Sequence, residues 1–124
     1  MKRSVFLLIT AVGSFAFGTM MFLNPDFAAE FLGIDITAQT ISVLRGMGGL
    51  IIGSGAINYF LRNQTNIQFI QGLLLTNIIT HLLGLSADIW GAADGALTIG
   101  KMAPVEITHL FVAIGSLYYY LKLK

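Results

Sequence analysis

The sequence predicts an all-α integral membrane protein: a four-helix up-down bundle with a short interfacial helix between the first and second spans. Three observations carry this. Of 124 residues, 56% are hydrophobic and only 10% are charged, where a soluble domain carries about 25%. Mean hydropathy is +0.80, and so few charges cannot coat the surface that a chain this small would expose to water. Four stretches approach the ~20 apolar residues that a membrane-crossing helix needs. The chain reads as one four-span domain over residues 1–124.

The first span covers about residues 4–23 and has no charge. Lys2 and Arg3 ahead of it imitate a signal peptide. The apolar run is too long for that, and no small-x-small cleavage site closes it, so a retained helix is expected. The second span, about residues 41–61, holds a single charge, Arg45. The third, about 67–87, has no formal charge but contains His81. The fourth, about 104–121, carries Glu106 and His109 near its start.

The connections differ in character. Arg62-Asn-Gln-Thr-Asn66 is a short polar turn, so spans two and three should form an antiparallel hairpin. Asn24 reads as an N-cap, Pro25 as a first helical residue and Gly33 as a stop. Between them Phe27, Phe31 and Leu32 are expected to share one face of a short interfacial helix. The third connection, Asp88–Ala103, is expected as a loop with Trp90 in the aromatic belt and a turn at Ala93-Asp94-Gly95. Tyr118-Tyr119-Tyr120 followed by Lys122 and Lys124 reads as an interfacial anchor with snorkelling lysines.

Orientation follows from basic residues near span ends. With four spans, Lys2, Arg3, Arg62, Lys122 and Lys124 fall on one side, against Lys101 and the intramembrane Arg45 on the other. Both termini are therefore expected in the cytoplasm. All six acids, Asp26, Glu30, Asp35, Asp88, Asp94 and Glu106, lie toward the opposite face.

The polar residues inside the apolar runs are where chemistry would reside. Arg45 sits about one turn inside its span, where a charge is costly and should face the bundle and a partner, Glu106 first and Asp88 otherwise. Asn77, His81, Gly84 and Asp88 recur on one helical face, and Glu106, His109, Ala113, Ser116 and Tyr120 on another. At 1.5 Å per residue, Arg45, His81, Asp88, Glu106 and His109 all come within about 10 Å of the outer boundary. Read structurally, this layer is an ion-paired plug. Read functionally, it floors a pocket for a ligand, helped by the side-chain volume that Gly48, Gly49 and Gly84 leave unfilled. Glu106-Ile-Thr-His109 is also a Glu-x-x-His element as in di-iron bundles, but the second element and further glutamates are missing. A mononuclear metal site of His81, Glu106 and His109 is the remaining metal option, and Arg45 in the same layer opposes it by repulsion.

Other patterns exclude more than they suggest. With no cysteine, disulfides, thiol redox centres, zinc–cysteine sites and quinone-coupled dithiol chemistry are ruled out. Gly46-Met-Gly-Gly-Leu-Ile-Ile-Gly-Ser-Gly55 is not a nucleotide loop, since no strand precedes it and Ile51 stands where the third glycine belongs. Gly49-x-x-x-Gly53 reads instead as a close-packing face, with Ser14-x-x-x-Gly18 as an opposing one.

Asn24-Pro25 after the first span, Arg45-Gly46-Met47-Gly48-Gly49 opening the second, Asp94-Gly95 before the fourth and Glu106 near its start give the chain a layout that resembles the small DoxX-like four-helix membrane proteins. It is most similar to an uncharacterised bacterial branch of that group. The resemblance extends over nearly the whole chain. It implies an up-down bundle in the bacterial cytoplasmic membrane, among relatives that include quinone-linked oxidoreductase subunits and a receptor-assembly chaperone, and it carries no cofactor residues across.

The function expected is an accessory or assembly protein, or a binder of a small apolar ligand, with the lipid bilayer and a membrane partner or a second copy as its contacts and no nucleic acid. The alternative is a membrane-embedded enzyme or oxidoreductase subunit using His81, Glu106 and His109 as acid–base groups. A small multidrug or proton-coupled transporter fits the length, but the first span lacks a carboxylate and every acid lies near the outer boundary, so no midplane proton relay is evident. No cofactor can be assigned from the sequence.

Overall fold

The computed structural model describes residues 1–97 and 99–123, with the side chain of Ile99 left aside. It is all-helical: α1 (Arg3–Leu23), α2 (Pro25–Leu32), α3 (Ala38–Leu61), α4 (Ile67–Ala93) and α5 (Ile99–Leu121). Three of these, α1, α3 and α4, are long and apolar enough to cross a membrane. The chain forms two compact units, Ser4–Arg62 and Met1–Arg3 with Asn63–Lys124.

In the Ser4–Arg62 unit, α1 and α3 meet backbone to backbone. A Cβ built on Gly48 would stand 2.7 Å from the Gly18 carbonyl oxygen and 2.7 Å from the Phe22 nitrogen. A Cβ on Gly55 would lie 3.0 Å from the Ser14 Cβ and 3.2 Å from the Ala11 oxygen. Only glycine admits this approach, the small-residue packing that replaces hydrophobic force between membrane helices. The internal contact therefore uses Gly48 and Gly55 against Ser14 and Gly18. Gly49 has only the Phe22 ring at 4.0 Å and Gly53 has nothing within 4 Å, so the Gly49/Gly53 face lies outside it. The volume at Gly48, expected to be unfilled, is taken up by the α1 backbone.

α2 begins as its residues dictate. The Asn24 side chain accepts from the Phe27 N–H, and Pro25 opens the helix where its missing N–H costs nothing. Gly33, at φ 71°, ends it. The Ile34 N–H reaches the Ala29 carbonyl at 2.9 Å and the Gly33 N–H that of Glu30 at 3.1 Å, the paired bonds of a Schellman stop. The buried face is Pro25, Ala28, Ala29 and Leu32, set against α3. Phe27 and Phe31 are exposed and do not share a face with Leu32 as expected. The two alanines are small enough to bring the helix close, and four-residue spacing then puts both phenylalanine rings outside.

In the other unit α4 and α5 form an αα-hairpin. The connection between them is shorter than expected. α4 runs on through Asp88 and Trp90 to Ala93, and α5 begins before Pro104, which lies inside it. Helix length is not capped at bilayer thickness; α4 stops where Gly95 takes φ 74°. There the Ala96 N–H bonds to the Gly91 carbonyl at 2.8 Å and the Gly95 N–H to that of Ala92 at 3.2 Å, a second Schellman stop. Pro104 removes one i→i−4 bond, tolerable near a helix start.

The two polar-bearing faces read from the sequence turn inward in this unit: Asn77, Ala113 and Ser116 are buried, as are Ile70, Leu73, Leu74 and Val112. At the opposite end from the 94–97 turn, the Arg3 guanidinium donates to the Gln64 carbonyl at 2.7 Å and the Tyr119 hydroxyl to the Met1 carbonyl. Nearby, the Lys122 ammonium lies 4.5 Å from the centre of the Tyr118 ring, and its side-chain hydrogen bond with Tyr118 holds its pKa above the ordinary lysine value. Lys124, the other lysine of the expected anchor, lies outside the described residues.

Candidate polar site between two helices

α4 presents His81, Gly84 and Asp88 along one stripe, at steps of three and four residues. α5 brings Glu106 and His109 to it, three residues apart and so on one face. Gly84 is what lets them meet. A Cβ at that position would fall 2.6 Å from Cε1 and 2.9 Å from Nε2 of His109, so the His109 ring occupies the place of the side chain that Gly84 lacks. The volume expected to be empty at Gly84 is filled by an imidazole.

Seated there, His109 bridges two residues of the facing helix. Its Nδ1 is 2.8 Å from Nδ1 of His81, with the rings edge to face at 5.0 Å and 61°. Its Nε2 is 3.6 Å from an Asp88 carboxylate oxygen, and the two side chains are 20% and 21% exposed. Neutral imidazole carries one donor and one acceptor nitrogen, so an Nδ1–Nδ1 bond holds a single proton. With Asp88 anionic, His109 presents Nε2–H to it and an Nδ1 lone pair to His81. His81 then donates from Nδ1 and keeps a lone pair on Nε2.

Glu106 is the odd member. Among the described residues neither of its carboxyl oxygens, both shut off from solvent, has a hydrogen-bond donor, and the group facing them is another acid, Asp88. A hydrogen bond between these two carboxyls requires a proton on one of them. Such a buried acceptor is costly when left unmatched.

Of the residues singled out from sequence, the structure brings His81, Asp88, Glu106 and His109 together. Arg45 belongs to the other unit, on an exposed face of α3. Among the described residues no three His, Asp or Glu side chains are grouped to hold a metal ion. Two nitrogens binding one tetrahedral zinc at about 2.0–2.1 Å would stand about 3.3 Å apart, farther than the two Nδ1 atoms here. Sequence reasoning placed the histidines in one layer and missed their direct bond. It also passed over Asn58, buried in α3 with its amide on the Ser54 carbonyl at 3.0 Å, although an Asn within an apolar run is itself a signal.

Fold and site define a class: an all-helical chain with three helices long and apolar enough to cross a membrane and a histidine–carboxylate cluster held between two helices. Compared with protein-family models, curated proteins and solved structures, the chain matches none.

Proposed function

We propose that the chain is a four-span inner-membrane protein of the DoxX-like type that binds a small, largely apolar ligand by its polar end. The observation that carries this is Glu106, whose closed-off carboxyl oxygens lack a donor. A hydroxyl, amide or amine at the end of an apolar molecule would supply one, with His81, Asp88 and His109 as neighbours. In the second reading the layer is purely structural and the protein serves an accessory or assembly role. The enzyme reading rests on the same histidines acting as acid and base.

α5 is the proposed fourth span. Its 23 residues amount to about 34 Å at 1.5 Å each, enough for a hydrocarbon core of ~30 Å, although Glu106, His109 and three tyrosines lower its apolarity. The bonds from Met1 to Tyr119 and from Arg3 to Gln64 support a common side for the N-terminus, the second turn and the C-terminal end of α5. Cysteines introduced singly at Asn66 and Asp94 should label from opposite sides; same-side labelling would refute the topology. For the ligand, native mass spectrometry of the full chain in mild detergent should show a bound small molecule that Glu106→Gln releases and Arg45→Met retains. A ligand-free wild type, or an adduct indifferent to Glu106, rejects this function.

A further inference from the structure

The Asp88–His109–His81 line has a direction as well as a composition. His81 and Asp88 are seven residues apart on α4, a rise of about 10 Å along the helix. No α4 residue bridges that interval. The bridge comes from α5, as His109 presses on Gly84 with one nitrogen 2.8 Å from His81 and the other 3.6 Å from Asp88. The polar contacts thus run parallel to the helix axis, from the Asp88 end near the 94–97 turn toward the middle of α4. An imidazole can accept a proton on one nitrogen and release one from the other, so two joined in series can pass a proton along.

We infer that Asp88, His109 and His81 form a proton relay whose solvent port is Asp88 and whose inner end is Nε2 of His81. This goes beyond the ligand reading and does not need it.

Outward passage starts from the arrangement described above. A proton binds Nε2 of His81. The Nδ1 proton of His81 moves to Nδ1 of His109, and, as the 3.6 Å gap to Asp88 closes to hydrogen-bond distance, the Nε2 proton of His109 moves to the Asp88 carboxylate. One proton has entered and one has been delivered. Both rings now hold their protons on the opposite nitrogens: Nε2 on His81 and Nδ1 on His109. Inward passage reverses each hop. Protonated Asp88 gives its proton to Nε2 of His109, His109 hands the Nδ1 proton to His81, and His81 releases the one on Nε2. Each direction resets the other. Glu106 fits at the port as a store, because the Asp88–Glu106 contact becomes a hydrogen bond only with a shared proton. Among the described residues, the titratable groups that α4 and α5 bring to the line are these four; Lys101, toward the start of α5, is exposed.

The test uses the full chain in lipid nanodiscs with ¹⁵N-histidine, which gives a clean spectrum because there are only two histidines. The wild type should show a scalar coupling between the two Nδ1 nuclei through the shared proton. The His81 Nδ1 proton should exchange with water no faster than the His109 Nε2 proton. Asp88→Asn, which keeps the shape of the port but cannot carry the proton, should slow exchange at His81 at least tenfold while the coupling persists. Absence of the coupling in the wild type, faster exchange at His81 than at His109, or unchanged exchange in a folded Asp88→Asn protein each overturns the relay. The two wild-type measurements decide the matter if that variant does not fold.

Discussion

Two helix contacts in this molecule are built on glycine, and they use it in opposite ways. Where α1 crosses α3, Gly18, Gly48 and Gly55 bring main chain against main chain. The absent side chains are replaced by carbonyls and amides that cannot move independently. Where α5 lies on α4, Gly84 admits the His109 ring, a side chain with two torsions and two titratable nitrogens. The first contact fixes a distance between helices. The second fixes a place for chemistry, and its occupant can adjust. The lesson is that a glycine in a membrane helix is interpretable only once its occupant is known.

The comparison can be broken most severely at Gly48. Leucine there must force the α1 and α3 backbones apart, and unfolding in detergent should show a loss of about 3 kcal/mol, the upper end for overpacking. A loss below ~1 kcal/mol would mean that the crossing relaxes easily and that the two contacts are alike.

His109→Leu should be next, costing about 2 kcal/mol, because it leaves the His81 donor without an acceptor in a half-buried place. The companion His81→Leu, His109→Leu double variant should recover part of that loss. A double variant that loses the full sum would show that the bond between the rings contributes nothing.

Gly84→Ala should cost less, about 1 kcal/mol, since a ring can swing where a carbonyl cannot. Its clearer mark is spectroscopic: the coupling between the Nδ1 nuclei should disappear as His109 is displaced. A retained coupling would show that His109 does not need the glycine.

Gly53→Ala should be the quietest, within about 0.5 kcal/mol of wild type, because a Cβ there meets nothing within 4 Å. A drop in oligomeric state with the fold intact would instead assign the Gly49/Gly53 face to a second copy.

Local chain chemistry was the most legible part of the sequence. Asn24 and Pro25 open α2 by a side-chain cap and a fixed φ, and Gly33 and Gly95 mark stops by the left-handed φ that glycine allows. The ends of α4 and α5 were not legible. Bilayer thickness sets a minimum helix length and no maximum, and Asp88 looks like a terminus only if the helix must stop at the membrane surface. Pro104 resembles a first-turn residue and sits further in. The Gly49/Gly53 register could not be told from Gly48/Gly55, because α3 offers glycines on several faces and each residue turns the helix by about 100°. The residues of the polar cluster stood out as interruptions of apolar runs. Their mutual bonding did not, since it depends on ring rotation and on how closely two helices approach at Gly84. The outward turn of Phe27 and Phe31 likewise depends on which α2 face α3 selects.

The bond from the Tyr119 hydroxyl to the Met1 carbonyl links residues 118 positions apart, and Arg3 to Gln64 spans 61. A ribosome delivers Met1 to the membrane long before Tyr119 exists. Arg3 can meet Gln64 before α4 and α5 are made, whereas Met1 must wait for Tyr119. Assembly of these segments should accordingly finish with the late closure of Met1 against Tyr119.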